Sequence, residues 1–347
     1  MTTPMSTPRN HAKQVETVDS KNAQVSAPRF GTSWVAQLLG VQGPLIGLVL
    51  LCVVFSFSTS NAFLSVRNGL NVLDQVTVLG ILSIGMTAVI IIGGIDLSVG
   101  SMLALSMMVM GWLSHNIDLP LPISMAAAVL VGAVCGLVNG LLVTKARLPA
   151  FIATLSMMTI ARGLANLITD GQQIVGYPDW FDSLSTLRYF GFFSLTVALA
   201  VVLVGLSWIF LKYRATGRGL YAIGGSAEVA RLAGIPVRKM TTWVYVTSGL
   251  LSGVAAIVMS SRLDSSQPSA GTGYELDAIA AVVIGGASLS GGVGGIAGTV
   301  VGVLIIGVLH NGLNLSGVSP FIQQVMIGVV IAIAVTSDTL RRKNVSA

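Results

Sequence analysis

The stretch LDQVTVLGILSIGMTAVIIIG (73–93) decides the fold class. Beyond Asp74 and Gln75 at its start it carries no charged or amide side chain. It is long enough to cross the hydrocarbon core of a bilayer, for which about 20 mostly apolar residues suffice. Stretches of the same kind recur near 42–60, 97–115, 121–144, 150–169, 192–212, 241–261, 276–290, 293–313 and 319–337. The expected fold is therefore all-α, a polytopic integral membrane protein of about ten transmembrane helices. The eighth stretch is the weak one. Its apolar core from Ala278 to Ile284 is short and runs into Gly285-Gly286, which predicts a short or broken helix. Such a helix is tolerated only where protein or a cavity surrounds its backbone.

Composition points the same way. Of 347 residues 53% are apolar and only 9% are charged, against roughly 25% charged in soluble domains. A soluble chain of this length could not hide that much apolar surface, whereas a lipid-facing bundle need not. The net charge of +6 does not imply nucleic acid, because no nucleic-acid-binding motif interleaves with the basic residues.

The positions of the charges matter more than their sum, since cytoplasmic loops are enriched in Lys and Arg. With the N-terminus inside, the inside segments hold Arg9, Lys13, Lys21, Arg29, Lys145, Arg147, Lys212, Arg214, Arg218, Arg231, Arg238, Lys239, Arg341, Arg342 and Lys343. The outside segments hold only Arg67, Arg188 and Arg262, and Arg162 lies within a span. Omitting the eighth span would move Arg341, Arg342 and Lys343 outside and weaken this asymmetry. Both termini are expected to be cytoplasmic. Residues 1–35 lack hydrophobic periodicity and read as a disordered cytoplasmic tail, 40–340 as the membrane domain, and 341–347 as a short cytoplasmic C-terminal tail. The first span is expected to be an uncleaved anchor, since its apolar run starts late and lacks an A-x-A site.

Several chemistries find no support. There is no G-x-x-x-x-G-K-[ST] run, so no phosphate-binding loop of that kind, and no nucleophile elbow. His11, His115 and His310 are far apart, and Cys52 and Cys135 sit singly in apolar runs, so no metal site and no disulfide are expected. An enzyme is not expected.

Two segments repeat one another in outline. IIGGIDLSVG (91–100) aligns with VIGGASLSGG (283–292), and Asn139-Gly140-Leu141 echoes Asn311-Gly312-Leu313. Transporters are often built from duplicated halves, although the spacing between the paired elements here differs by about one span. Two loops, 170–191 outside and 213–240 inside, exceed what a compact bundle needs and should each meet a partner. In the inside loop Ser226 is a plausible N-cap, and Ala227 to Ala233 a short helix ended by Gly234 and Pro236. It presents Glu228 and Arg231 either to solvent, as a plain connector, or to a partner.

GGSAEVARLAGI (224–235) resembles the coupling segment of ribose-type sugar permeases of ABC importers, with Ser226 and Val229 departing from the family pattern. The same family's signatures are similar to GGIDLSVG (93–100), ATLSMMTIARG (153–163), YELDAIAAVVIGG (274–286) and NGLNL (311–315) with FIQQ (321–324). The resemblance runs in order from about residue 44 to 340. It implies a bacterial inner-membrane permease working as a homo- or heterodimer with a second permease copy. Its other implied partners are a cytoplasmic ABC ATPase subunit, which would hold ATP and Mg, and a periplasmic sugar-binding protein. No cofactor is expected on this chain itself. Gly224, Gly225, Glu228, Ala230, Arg231, Gly234 and Ile235 would form the ATPase-coupling segment. Gly93, Gly94, Asp96, Ser98 and Gly100 would form a structural signature.

Polar residues within spans are costly in lipid and usually face protein or water. Ser156, Thr159, Arg162, Asn166 and Thr169 recur at helical spacing and make one polar face, a candidate translocation pathway. Arg162 either donates to a sugar or pairs with a structural acid such as Asp96. Asp96 otherwise caps the helix starting at Leu97. Asn311, Asn314, Gln323 and Gln324 either line the mouth of the pathway or make interhelical hydrogen bonds. Ion-coupled carriers usually bury an ionisable group, and only Asp96 and Arg162 come close. A stand-alone carrier or channel for a small polar solute is the competing reading.

Overall fold

The computed structural model describes residues 34–59, 62–189, 191 and 193–345. The tail expected over 1–35 therefore lies outside the described residues up to 33, and Trp34 and Val35 already belong to the first helix. In chain order the helices are α1 (Trp34–Ser58), α2 (Val66–Ile91), α3 (Val99–Asn116), α4 (Leu121–Thr144), α5 (Ala150–Leu167), α6 (Asp179–Thr186), α7 (Leu195–Tyr213), α8 (Ala215–Gly225), α9 (Ala227–Leu232), α10 (Val237–Leu263), α11 (Tyr274–Ile284), α12 (Ile296–Leu315) and α13 (Pro320–Val345). Among the described residues the departures from all-α are a two-residue antiparallel pairing of β1 (Ile174–Val175) with β2 (Ser265–Ser266) and an isolated bridge between Tyr189 and Phe193.

Each of the ten expected stretches overlaps a helix, the eighth only as far as Ile284, and the helices are not alike. Among the described residues α2, α4, α5, α7, α10 and α12 are long and apolar enough to cross a membrane. α11 has only 11 residues and stops at Gly285, as its Gly285-Gly286 terminus predicts. α3 ends in Ser114, His115 and Asn116 and is buried along most of its length, so its own surface need not be lipid-compatible. α13 continues through 341–345 instead of ending before them.

α10 lies at the centre, packed on α4, α2 and α3, while α12 joins α2, α1 and α11. The α4–α10 contact is closed by small residues. A Cβ on Gly132 would run into the Gly249 carbonyl, and one on Gly136 into the Tyr245 carbonyl. With lipid on both sides there is no hydrophobic drive between helices, so close backbone packing of this kind supplies the attraction. Hydroxyls close the helix starts: Ser65 accepts from the Asn68 N–H at 3.2 Å on α2, and Ser194 from the Val197 N–H at 3.3 Å on α7.

The connection from α10 to α11 turns back into the bundle. Ser265, Ser266, Pro268, Ala270 and Gly271 are buried, and the Ser266 hydroxyl donates to the Met107 carbonyl midway along α3 at 2.8 Å. Tyr177, in the long 170–191 loop, bonds Ser266 Oγ at 2.7 Å, and burial pushes its hydroxyl up to about 12. Arg188 of the same loop pairs with Asp74 of α2, tying the loop to the bundle.

Candidate functional site

α5 packs through Ala153, Thr154, Met157, Ala161 and Ala165, all buried. The opposite face is exposed and carries a polar stripe down its centre: Ser156, Thr159 and Asn166 point away from the bundle between exposed Leu155, Ile160, Leu164 and Leu167, with Gly163 among them meeting nothing within 4 Å. Each polar side chain is half-satisfied by its own helix. Ser156 donates to Ile152 O at 2.9 Å, Thr159 to Leu155 O at 3.2 Å and Asn166 to Arg162 O at 2.8 Å. The remaining acceptor capacity faces outward, where a solute with hydroxyls could use it.

Arg162 stands on the flank of this face, half-buried. It does not pair with Asp96. Its guanidinium donates to the carbonyls of Pro268 at 2.5 Å and Ala270 at 2.8 Å, with the Glu275 carboxylate in electrostatic reach. The physical reason is the re-entrant turn after α10. Its buried carbonyls lack helical partners, and a guanidinium with five donors satisfies two of them. Asp96 sits elsewhere, fully buried, and accepts from the Ser98 N–H at 3.0 Å, the Ser98 hydroxyl at 2.6 Å and the Ser248 hydroxyl of α10 at 2.9 Å. It thus closes the turn before α3, which starts at Val99 and not at Leu97. Asn139 of α4 donates to Ser98 Oγ at 2.8 Å, drawing three helices onto this turn. Gly100 lies so close to Gly271 that a Cβ would strike the Gly271 carbonyl and the Glu275 carboxylate.

The two look-alike segments meet in space. The Gly292 N–H donates to the Ile91 carbonyl at 2.8 Å, and Gly93, left-handed at φ 77°, lies against Ser290. α8 ends on the same spot: a Cβ on Gly224 would strike both Ile91 O and Gly292 N, and the Tyr221 hydroxyl donates to Gly294 O at 3.0 Å.

Only Ser226 separates α8 from α9, and its hydroxyl caps α9 by accepting from the Val229 N–H at 3.3 Å. Gly234, left-handed at φ 81°, follows the end of α9. Glu228 and Arg231 are exposed and bond each other at 2.6 Å, which holds Arg231 above its ordinary pKa. Ala230 is buried, and Ile235 N–H bonds back to the Ala230 carbonyl at 3.0 Å. The residues sequence reasoning missed here are Val229 and Leu232, 64% and 77% exposed beside the ion pair. Two large apolar side chains turned outward on so short a helix were the available signal.

The polar residues of the last hairpin divide. Asn311 is buried and exchanges hydrogen bonds with Asn68 of α2. Gln323 is buried, donating to Val318 O at 2.9 Å and facing His310 Nδ1 at 3.3 Å. Asn314 and Gln324 are exposed. Among the described residues no group of three or more His, Cys, Asp or Glu could hold a metal ion.

Comparison with known proteins adds the following. Residues 68–335 match the family described as branched-chain amino acid transport system / permease component. The chain is 47% identical over 303 residues to the ribose import permease protein RbsC of Bacillus subtilis (strain 168), a match covering 85% of this chain and 92% of that protein. It is 42% identical over 328 residues to the ribose import permease protein RbsC of Escherichia coli (strain K12), covering 92% and 98%. The xylose transport system permease protein XylH of Haemophilus influenzae is 33% identical over 363 residues, covering 86% of this chain and 96% of its own. No solved structure matches the chain.

Proposed function

The chain belongs to the branched-chain amino acid transport system / permease component family, and from that membership we propose that it is the membrane-spanning subunit of an ATP-driven importer for a small sugar. Although the family description names amino acids, the relatives that match nearly the whole chain are named for ribose and xylose, and a ribose-like pentose is the default substrate. It is a multi-pass inner-membrane protein. In the proposed topology it crosses ten times, α11 and the buried α3 included, with both termini in the cytoplasm.

The observation that carries this reading is the polar centre of α5, turned away from its own bundle. Hydroxyl and amide groups are costly against lipid, so this face is paired with something wet. A second permease copy set against it would enclose a path lined by Ser156, Thr159 and Asn166 of each subunit. Neutral donors and acceptors suit a polyol, and no fixed charge on that face would hold it too tightly to leave. α9 would dock on a cytoplasmic ABC ATPase, which binds ATP and Mg, and the 170–191 loop would receive an external sugar-binding protein. ATP-driven movement of the two subunits then exposes the path to one side or the other.

The test is uptake in proteoliposomes holding this chain, the ATPase and the binding protein. Labelled ribose should accumulate only with all three and with ATP inside the cytoplasmic compartment. Uptake by this chain alone under an ion gradient would establish the stand-alone carrier instead.

A further inference from the structure

A path from the docking helix to the polar face of α5 can be followed atom by atom. α9 joins α8 through Ser226 alone. α8 is held by buried Leu220 and Ile223, and its last turn meets backbone, not side chains: Gly224 against Ile91 O and Gly292 N, with Tyr221 bonded to Gly294 O. Ile91 ends α2 and leads into the turn 92–98. That turn is tied down at its far side by two groups. Asp96 holds it to Ser248 of α10, and the Thr154 hydroxyl of α5 shares its one proton between Ile95 O at 3.1 Å and Ala150 O of its own helix at 2.9 Å, so that it bridges the turn and α5. Thr154 lies on the packed face of the helix whose other face carries Ser156 and Thr159.

Backbone packed on backbone has no rotamers to absorb a displacement, so it passes rigid-body motion on instead of damping it. We propose that Tyr221 and Gly224 are positioning residues for transport. They pass displacement of α9 into the turn 92–98, and Thr154 passes it to α5, so that the docking helix and the pathway helix shift together. This rests on the importer reading above, and it adds which contacts couple the ATPase to the path. The covalent links of α8 to α7 and of α9 to α10 are the competing route. α7 is largely exposed, whereas α10 reaches the turn 92–98 through Ser248 and Asp96, so Tyr221→Phe, which touches only the α8 route, separates the two.

The experiment uses the full importer in proteoliposomes, with ATP hydrolysis and ribose uptake measured side by side. Tyr221→Phe removes the bond to Gly294 O, Thr154→Val removes the hydroxyl shared between Ile95 O and Ala150 O, and both keep the shape of the side chain. Each should leave ATP hydrolysis within about twofold while uptake per ATP falls about fivefold to tenfold, the low end of the roughly 5–150-fold span of coupling between sites. The double variant should be no worse than the poorer single one, because links in series fail once. Gly224→Ala should uncouple more severely, with thermal unfolding of the purified complex reporting any loss of folding separately. Unchanged uptake per ATP in Tyr221→Phe and Thr154→Val, or losses that multiply in the double variant, would overturn the linkage. A wild-type importer that takes up no sugar would instead overturn the function itself.

Discussion

Asn68 of α2 and Asn311 of α12 clasp each other through two reciprocal amide hydrogen bonds, each 2.9 Å, in a buried position. Each amide donates once to and accepts once from the other helix, and the second Asn68 amide hydrogen goes to Phe63 O at 3.0 Å. Asn311 is therefore an interhelical tie before it is anything else. Replacing either by Ala should lower stability in detergent by about 1 kcal/mol. A double-mutant cycle read by SDS-induced unfolding should give a coupling of about 0.6 kcal/mol, and not above about 1.7, since partners are found in the unfolded state too. A coupling of zero would remove the tie.

Glu228→Arg places two like charges one turn apart on α9 and breaks the bond with Arg231. ATP-dependent uptake should be abolished, while membrane insertion, measured by protease protection, is unchanged. Leu232→Asp should do the same through the apolar side of the helix, and co-purification of the ATPase should fall at least tenfold for both. Full uptake in both variants would mean that α9 is only a connector.

Gly136→Leu cannot fit between α4 and α10, because even a Cβ there overlaps the Tyr245 carbonyl. The cost should exceed the roughly 1–3 kcal/mol of ordinary overpacking, because backbone and not a side chain must yield. Gly163→Leu, by contrast, meets open space on α5 and should leave the unfolding midpoint of the single subunit unchanged. Comparing the two midpoints checks the seam.

Thr159→Cys should react with a hydrophilic thiol reagent in the assembled importer, and bound or transported sugar should slow the reaction. Leu206→Cys, exposed on the apolar α7, should stay unreactive. Equal rates at both positions would place α5 against lipid.

The sequence already carries the helix positions and the polar face of α5, because both are short-range periodicities: about 20 apolar residues for one, three- and four-residue spacing for the other. The brevity of α11 was equally visible in Gly285-Gly286. Partner choice was not. In the sequence Arg162 lies inside an expected span and Asp96 at the edge of one, and pairing them is the economical guess, although the structure buries Glu275 and Asp277 as well. The structure instead gives Arg162 the carbonyls of Pro268 and Ala270, because the segment after α10 turns back into the bundle. That turn leaves no periodic trace, only a run of small residues broken by Gln267 and Pro268 between Ser265 and Gly273. Val229 and Leu232 were passed over for a related reason. Their meaning depends on which side of a six-residue helix is covered, and that is a tertiary fact.

The outward polar centre of α5 also bears on how the protein must be made. A solitary copy would present hydroxyls and an amide to acyl chains, an exposure that costs free energy in lipid. Subunits would then have to find their mates soon after insertion, and synthesis in step with the partner genes would be a requirement of the fold as much as of regulation.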